Sequence, residues 1–484
     1  MISKTIFKFW LSINNNKLKI MKLISSILLL SSTLLAGSSS APHLEGGDLS
    51  ILWVIPFAGI LLSIAIFPLV APEYWHHNFG KVSAFWAALF ILPFLFSQGW
   101  QIALYEVLHV GLLEYVPFII LLLALFTISG GVQLTGSLVG TPIVNSGIIL
   151  IGTLLASWMG TTGAAMLLIR PLLRANKDRK HKVHIVIFFI FLVANIGGSL
   201  TPLCDPPLFL GFLKGVDFFW TTKAMFFPMV FMIISLLIIF YFYDSFQYRK
   251  ESDLPPSTDN EKIAIKGSFN LLLIVGVVFS VLLSGFWKPD IDFTVFHVHV
   301  ELQNLTRDGL LLLLTYLSWN YTSKEIREGN EYTWFPIQEV AKLFAGIFIT
   351  IIPAIAILKA GTSGALSAII NSVSSDSGPV NHMYFWLTGI LSSFLDNAPT
   401  YLVFFNTAGG DAQILMGELS QTLLAISAGA VFMGANTYIG NAPNFMVKSI
   451  AESSGIEMPS FFGYFFYSVI ILFPLFGIVT FLFF

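Results

Sequence analysis

The sequence predicts an all-α polytopic membrane protein of about 10 to 11 transmembrane helices, arranged as two inverted repeats that each hold a re-entrant hairpin and a broken helix. Three observations predict it. Hydrophobic residues make up 56% of the 484 and charged residues 11%, whereas an ordinary soluble chain is about a quarter charged. Apolar runs, most of about 17 to 25 residues, recur along the whole length, and such runs cross a bilayer as helices. Polar and proline positions recur at matched distances in the two halves. Together these exclude a water-soluble enzyme and a disordered scaffold. The formal net charge of -2 supplies no basic field for nucleic acid, and the one cysteine, Cys204, rules out an internal disulfide framework or a multi-thiolate metal site.

Residues 1–48 read as a targeting segment: Lys17, Lys19 and Lys22 precede an apolar stretch from Leu23 to Leu35 and then small residues, the pattern of a secretory signal. The alternative is an uncleaved first transmembrane helix; either way the chain emerges outside near Asp48. Repeat 1, residues 49–243, holds spans near 50–70, 82–98 and 112–129, a hairpin over 143–173, a broken helix over 185–214 and a span near 225–243. A polar linker, 244–268, carries Pro255, Pro256 and several acids. Repeat 2, residues 269–484, holds spans near 269–287, 308–320 and 341–358, a hairpin over 382–408, a broken helix over 419–452 and a closing span near 460–483. The hairpins are expected because Gly160-Thr161-Thr162-Gly163 and Asp396-Asn397-Ala398-Pro399 interrupt their apolar runs, leaving each half too short to span.

Arg174, Lys177, Arg179, Lys180 and Lys182 crowd the loop after the first hairpin, which makes that loop cytoplasmic. Parity then puts the linker and the loop of Lys324, Arg327 and Lys342 inside and the loop of residues 288–306 outside. The two halves match in detail. Thr201-Pro-Leu-Cys-Asp205-Pro-Pro207 aligns with Thr437-Tyr-Ile-Gly-Asn441-Ala-Pro443, and Gly198 with Gly434. Five crossings per half, an odd number, invert one copy against the other.

A helix broken at membrane depth frees backbone groups that are tolerated only where they line a cavity or are buried in protein. Here two hairpin tips and two broken helices supply such ends, near residues 160–163, 195–207, 396–400 and 434–444. Their side chains are hard oxygen ligands suited to an alkali cation: Thr161, Thr162, Ser199, Thr201, Thr437, and the amides of Asn195, Asn397, Asn436, Asn441 and Asn444. Asp205 and Asp396 add negative charge in otherwise apolar runs, where an Asp costs roughly 2.5 to 3.5 kcal/mol on insertion scales. Burial favours a protonated carboxyl and a bound cation favours the ionised one, so a single group can hold a proton or a metal ion in turn. Capping of the following helix is the competing reading for both aspartates. Glu106, His109 and Glu114 read as an interfacial group at the outer edge before a span, with a proton entry route as the competing reading. Lys214 and Lys448 read as snorkelling, Arg170 as a boundary marker and Cys204 as a packing residue. No phosphate loop or dinucleotide fingerprint accompanies these features, so an ion gradient is the natural energy source.

The stretches Asn195-Ile-Gly-Gly-Ser-Leu-Thr-Pro-Leu-Cys-Asp-Pro-Pro207, Ser393-Phe-Leu-Asp-Asn-Ala-Pro-Thr400 and Gly434-Ala-Asn-Thr-Tyr-Ile-Gly-Asn-Ala-Pro-Asn444 resemble the NhaD-type sodium/proton antiporters of the ion transporter superfamily, from about residue 50 to the C-terminus. The resemblance implies no enzyme and no cofactor. It implies a multi-pass exchanger of the bacterial inner membrane that trades Na+, with Li+ as a further candidate, for H+ by an elevator movement. A homodimer would form through a scaffold subdomain, and Asp396, Asn397, Thr201, Asp205 and Asn441 are carried over as site candidates. Carboxylate carriers of the superfamily are recognised by Ser-Asn-Thr hairpin tips, which this chain lacks, and an aspartate at the second tip repels an anionic substrate. A carrier of a small carboxylate or arsenite coupled to Na+ or H+ remains the alternative.

Overall fold

The computed structural model describes residues 41–136, 138–251, 262–375 and 378–484. The targeting segment falls mostly on residues 1–40, and the middle of the linker on 252–261; both lie outside the described residues. The chain is an all-α polytopic membrane protein. Among the described residues seven helices are long and apolar enough to cross a membrane: Ile51–Val70, Pro72–Gln98, Trp100–Ser129, Pro142–Met159, Phe218–Tyr248, Phe269–Phe286 and Phe461–Phe483. Phe335–Thr350 and Ile352–Lys359, bent by 41°, make an eighth if counted as one span. Pro353 sits at the start of the second piece, where its missing N–H cannot continue the ladder.

Two segments break in mid-course. Val183–Leu192 gives way to a 3-10 turn, Ile196–Ser199, before Pro206–Leu213 resumes. Likewise Ser420–Met433 passes through Gly434–Asn436 before Ala442–Ser453. The cause is local: glycines remove side-chain support from the breaks, and Pro206 and Pro443 restart the helices at positions where no N–H is needed. The first pieces, Val183–Leu192 and Ser420–Met433, are mostly apolar, and past their first residues protein covers them on all sides. Helix Pro142–Met159 ends at Gly160 (φ +80°), a left-handed setting that glycine adopts freely, and Thr161–Ala175 follows. Asn381–Phe394 is separated from Asn397–Thr407 by Leu395 and Asp396.

One end of the molecule gathers the basic loop and both ends of the linker. Strand Gln133–Thr135 pairs with Ala264–Lys266, Arg174 Nη2 donates to Leu134 O at 2.9 Å, the Lys180 and His181 amides donate to Glu251, and Asn330 Nδ2 donates to Gly130 O and Val132 O. The opposite end holds the strands Asp292–Val295 and Val298–Glu301, where Phe296 meets Trp100 at 5.9 Å.

Several expectations need correction. The first arm of the first hairpin is 18 residues, about 27 Å at 1.5 Å per residue, so it is not too short to span. The helix expected near 308–320 is Leu302–Tyr321, and it is not among the apolar spans because Arg307 and Asp308 interrupt it; both are buried and paired at 2.8 Å. Glu106, His109 and Glu114 do not precede a span but lie within the continuous run Trp100–Ser129, Glu114 in a π-helical turn, Gly111–Tyr115. Lys214 does not snorkel: it forms an ion pair with buried Glu114. Arg170 does more than mark a boundary, since its Nη2 pairs with Glu331 Oε2 at 2.9 Å across to another segment.

Candidate functional site

Asp205 is the residue before Pro206–Leu213, yet its side chain makes no capping bond. Its carboxylate instead accepts from Asn397 Nδ2, 3.1 Å from each oxygen, and from Asn441 Nδ2 at 3.2 Å. Asp205 is 2% exposed. Asp396 behaves oppositely: it does cap, its Oδ1 accepting from Ala398 N at 3.1 Å. The two aspartates therefore differ in role. Asp205 is held by amides from the second half of the chain, and Asp396 is fixed by its own helix with its carboxylate at the cavity wall.

The breaks are tied together by asparagines. Asn441 Nδ2 also meets Ala194 O at 3.2 Å and Asn195 Oδ1 at 3.3 Å; Asn195 Nδ2 donates to Asn444 Oδ1 at 2.7 Å, and Asn444 Nδ2 to Gly434 O and Thr437 O. This chain crosses between the two broken helices and satisfies carbonyls that the missing helical turns leave free. The first hairpin tip joins through Thr161 N, which donates to Cys204 O at 3.1 Å.

Two serines that the sequence reading passed over pin the hairpins to the breaks. Thr201 donates to Ser157 O at 2.9 Å while Ser157 donates to Gly197 O at 2.5 Å. Thr437 donates to Ser393 O while Ser393 donates to Met433 O at 3.0 Å. The separations are the same in both halves, 44 and 40 residues. A threonine 44 residues after a serine was the signal in the sequence that would have found them. Their hydroxyls are spent on backbone carbonyls, so Thr201 and Thr437 shape the site rather than face it. Asn436 likewise donates to Ser393 Oγ at 2.9 Å.

A cavity of about 110 Å3 is lined by Gly160, Thr161, Thr162 and Gly163 from one tip, Asp396 from the other, and Asp205 and Asn441 from the two breaks. Most of its wall is apolar, from Phe118, Leu121, Leu125 and Phe209. Its lining includes two carboxylates and no Lys or Arg. The buried Oδ1 of Asn397 has no hydrogen-bond partner. A larger cavity, about 720 Å3, shares Asp396 and Asn441 and runs past Glu339 and His76 to Arg170 and Glu331. The loops that flank Arg170 and Glu331 belong to the basic end, so this vestibule leads from that end to Asp396. Thus Asp205, Asp396, Asn441, Thr161 and Thr162 come together at the cavity and Asn397 joins them through Asp205, whereas Asn195, Asn444, Asn436, Thr201 and Thr437 stand behind it.

A family model described as "Putative citrate transport", CitMHS_2, matches residues 46–484. No curated protein matches the chain.

Proposed function

The chain belongs to the CitMHS_2 family of citrate-type transporters, and we propose that it is a secondary active transporter that exchanges Na+, with Li+ as a second cation, for H+. The observation that carries the cation reading is the sign of the site: two aspartates, Asp205 and Asp396, share a small cavity wall without a basic side chain. Two ionised carboxylates there would repel an anion in a medium where charge interactions are poorly screened. A bare monovalent cation would meet carboxylate, amide and hydroxyl oxygens from Asp205, Asp396, Asn441, Thr161 and Thr162.

In this reading Asp396, which lines the vestibule, exchanges its proton for Na+, and Asp205 supplies fixed charge oriented by Asn397 and Asn441. The two hairpins and broken helices move together as an elevator, because hydrogen bonds from Asn397 to Asp205 and from Asn441 to Asn195 tie them into one unit. The matched serine–threonine pairs support descent from two inverted repeats, 49–243 and 269–484. A bacterial inner membrane and a homodimer built on the scaffold helices complete the proposal.

The family description favours a second reading, in which a small carboxylate is the cargo and Na+ or H+ the coupling ion. Everted vesicles with an imposed pH gradient separate the two. On the exchange reading Na+ alone collapses the gradient, citrate or succinate alone does not, and Asp396→Asn abolishes the response. A gradient that collapses only when citrate is present would overturn it.

A further inference from the structure

Glu114 lies at the far end of the same helical face that walls the cavity. Phe118, Leu121 and Leu125, which line it, stand 4, 7 and 11 residues further along one face of Trp100–Ser129. The basic end of the molecule lies beyond Ser129, so Glu114 sits toward the opposite face. Its side chain is 3% exposed, its Oε1 is paired with Lys214 and its Oε2 is buried without a partner. A π-helical turn, Gly111–Tyr115, holds it, a distortion that often marks functional positions. Glu106, His109 and Lys359 are close enough to interact with this pair electrostatically.

Lys214 directly follows Pro206–Leu213, the short helix that begins at Asp205. Glu114 and Lys214 therefore belong to different units: the acid to a long spanning helix, the ammonium to the segment tied to the site. We infer that Glu114 is a second monovalent-cation station on the face opposite the basic loop, which the ammonium of Lys214 occupies in the present state. The proposal rests on the exchange reading above. Its physical basis is that an ionised carboxylate left buried and unpaired is strongly destabilising, so when Lys214 moves with Asp205, Glu114 must take another cation. Lys359 forms no ion pair with Glu114, so Na+ or a proton from that face is the available one. Glu114 would then gather the ion for Asp205 and Asp396, and release it as Lys214 returns.

The test compares the two faces of the membrane. Na+ is supplied to right-side-out and to everted vesicles, and the concentration giving half-maximal proton movement is measured for wild type and variants. Glu114→Gln is expected to raise that concentration about tenfold at the face opposite the basic loop and less than twofold at the other. The double variant Glu114→Gln with Lys214→Gln, which leaves no unpaired buried charge, should show the same asymmetry, and Glu114→Asp should restore the wild-type value. A change equal at both faces, or none at either, overturns the inference while leaving exchange itself intact. Wild-type vesicles that move no protons with Na+ from either face sink the exchange reading and this one with it.

Discussion

At the scale of single residues, two aspartates that look alike in sequence are held in opposite ways. Asp205 receives three amide contacts from the other half of the chain, and Asp396 receives one backbone N–H from its own helix. Asn397→Ala therefore removes contacts from both Asp205 oxygens at once. It is expected to weaken Na+ activation of proton movement by tenfold or more, since hydrogen bonds to a charged group contribute about 1.5 to 3 kcal/mol. A variant with unaltered Na+ dependence would show that Asp205 needs no orientation. Thr201 and Thr437 make the equivalent bond in each half, to Ser157 O and Ser393 O. Each Thr→Val change leaves a buried carbonyl unsatisfied at a cost of about 1 to 3 kcal/mol, so both should lower the thermal unfolding midpoint in detergent by similar amounts. A large drop in only one would argue against equivalent roles.

At the scale of elements, the broken helices depend on close backbone approach. A Cβ on Gly440 would stand 2.5 Å from Gly434 O and 2.9 Å from Ser392 O, both main-chain atoms that cannot turn aside. Gly440→Val should force the second break open and lose transport even though the residue touches no ion. Transport assays on variant protein of normal yield check this, and retained activity would mean that the break flexes more readily than its packing indicates. In the first half a Cβ on Gly198 would stand 2.5 Å from Thr161 Cγ2, the end of a side chain, so Gly198→Ala should be the milder of the two.

At the scale of the whole molecule, the vestibule and the basic loop share one end. Lys180→Cys in the loop and Ser449→Cys in the vestibule should both react with a membrane-impermeant thiol reagent from the cytoplasmic side only, with little background from buried Cys204. Labelling of Lys180→Cys from outside would invert the orientation. Labelling of the two from opposite sides would mean that the vestibule does not open where the basic loop lies.

Much of this was legible along the chain because it rests on local rules. Apolar runs, Gly160, the proline pairs and the breaks at 195–207 and 434–444 are statements about nearest neighbours, and helix formation answers to those first. The roles of Glu114, Lys214 and Arg170 were not legible, since each partner lies about 100 residues or more away and no periodicity announces it. A lysine at a helix end reads as snorkelling from its neighbours alone, and only Glu114 beside it shows the ion pair. The sequence by itself determined a membrane-embedded helical chain, its interruptions and the oxygen-rich residues placed at them. Only the tertiary structure decided which of those oxygens converge, that Asp205 faces amides while Asp396 caps, and which end opens to water. Burial and charge pairing are settled by contacts between distant segments, which the order of residues does not display.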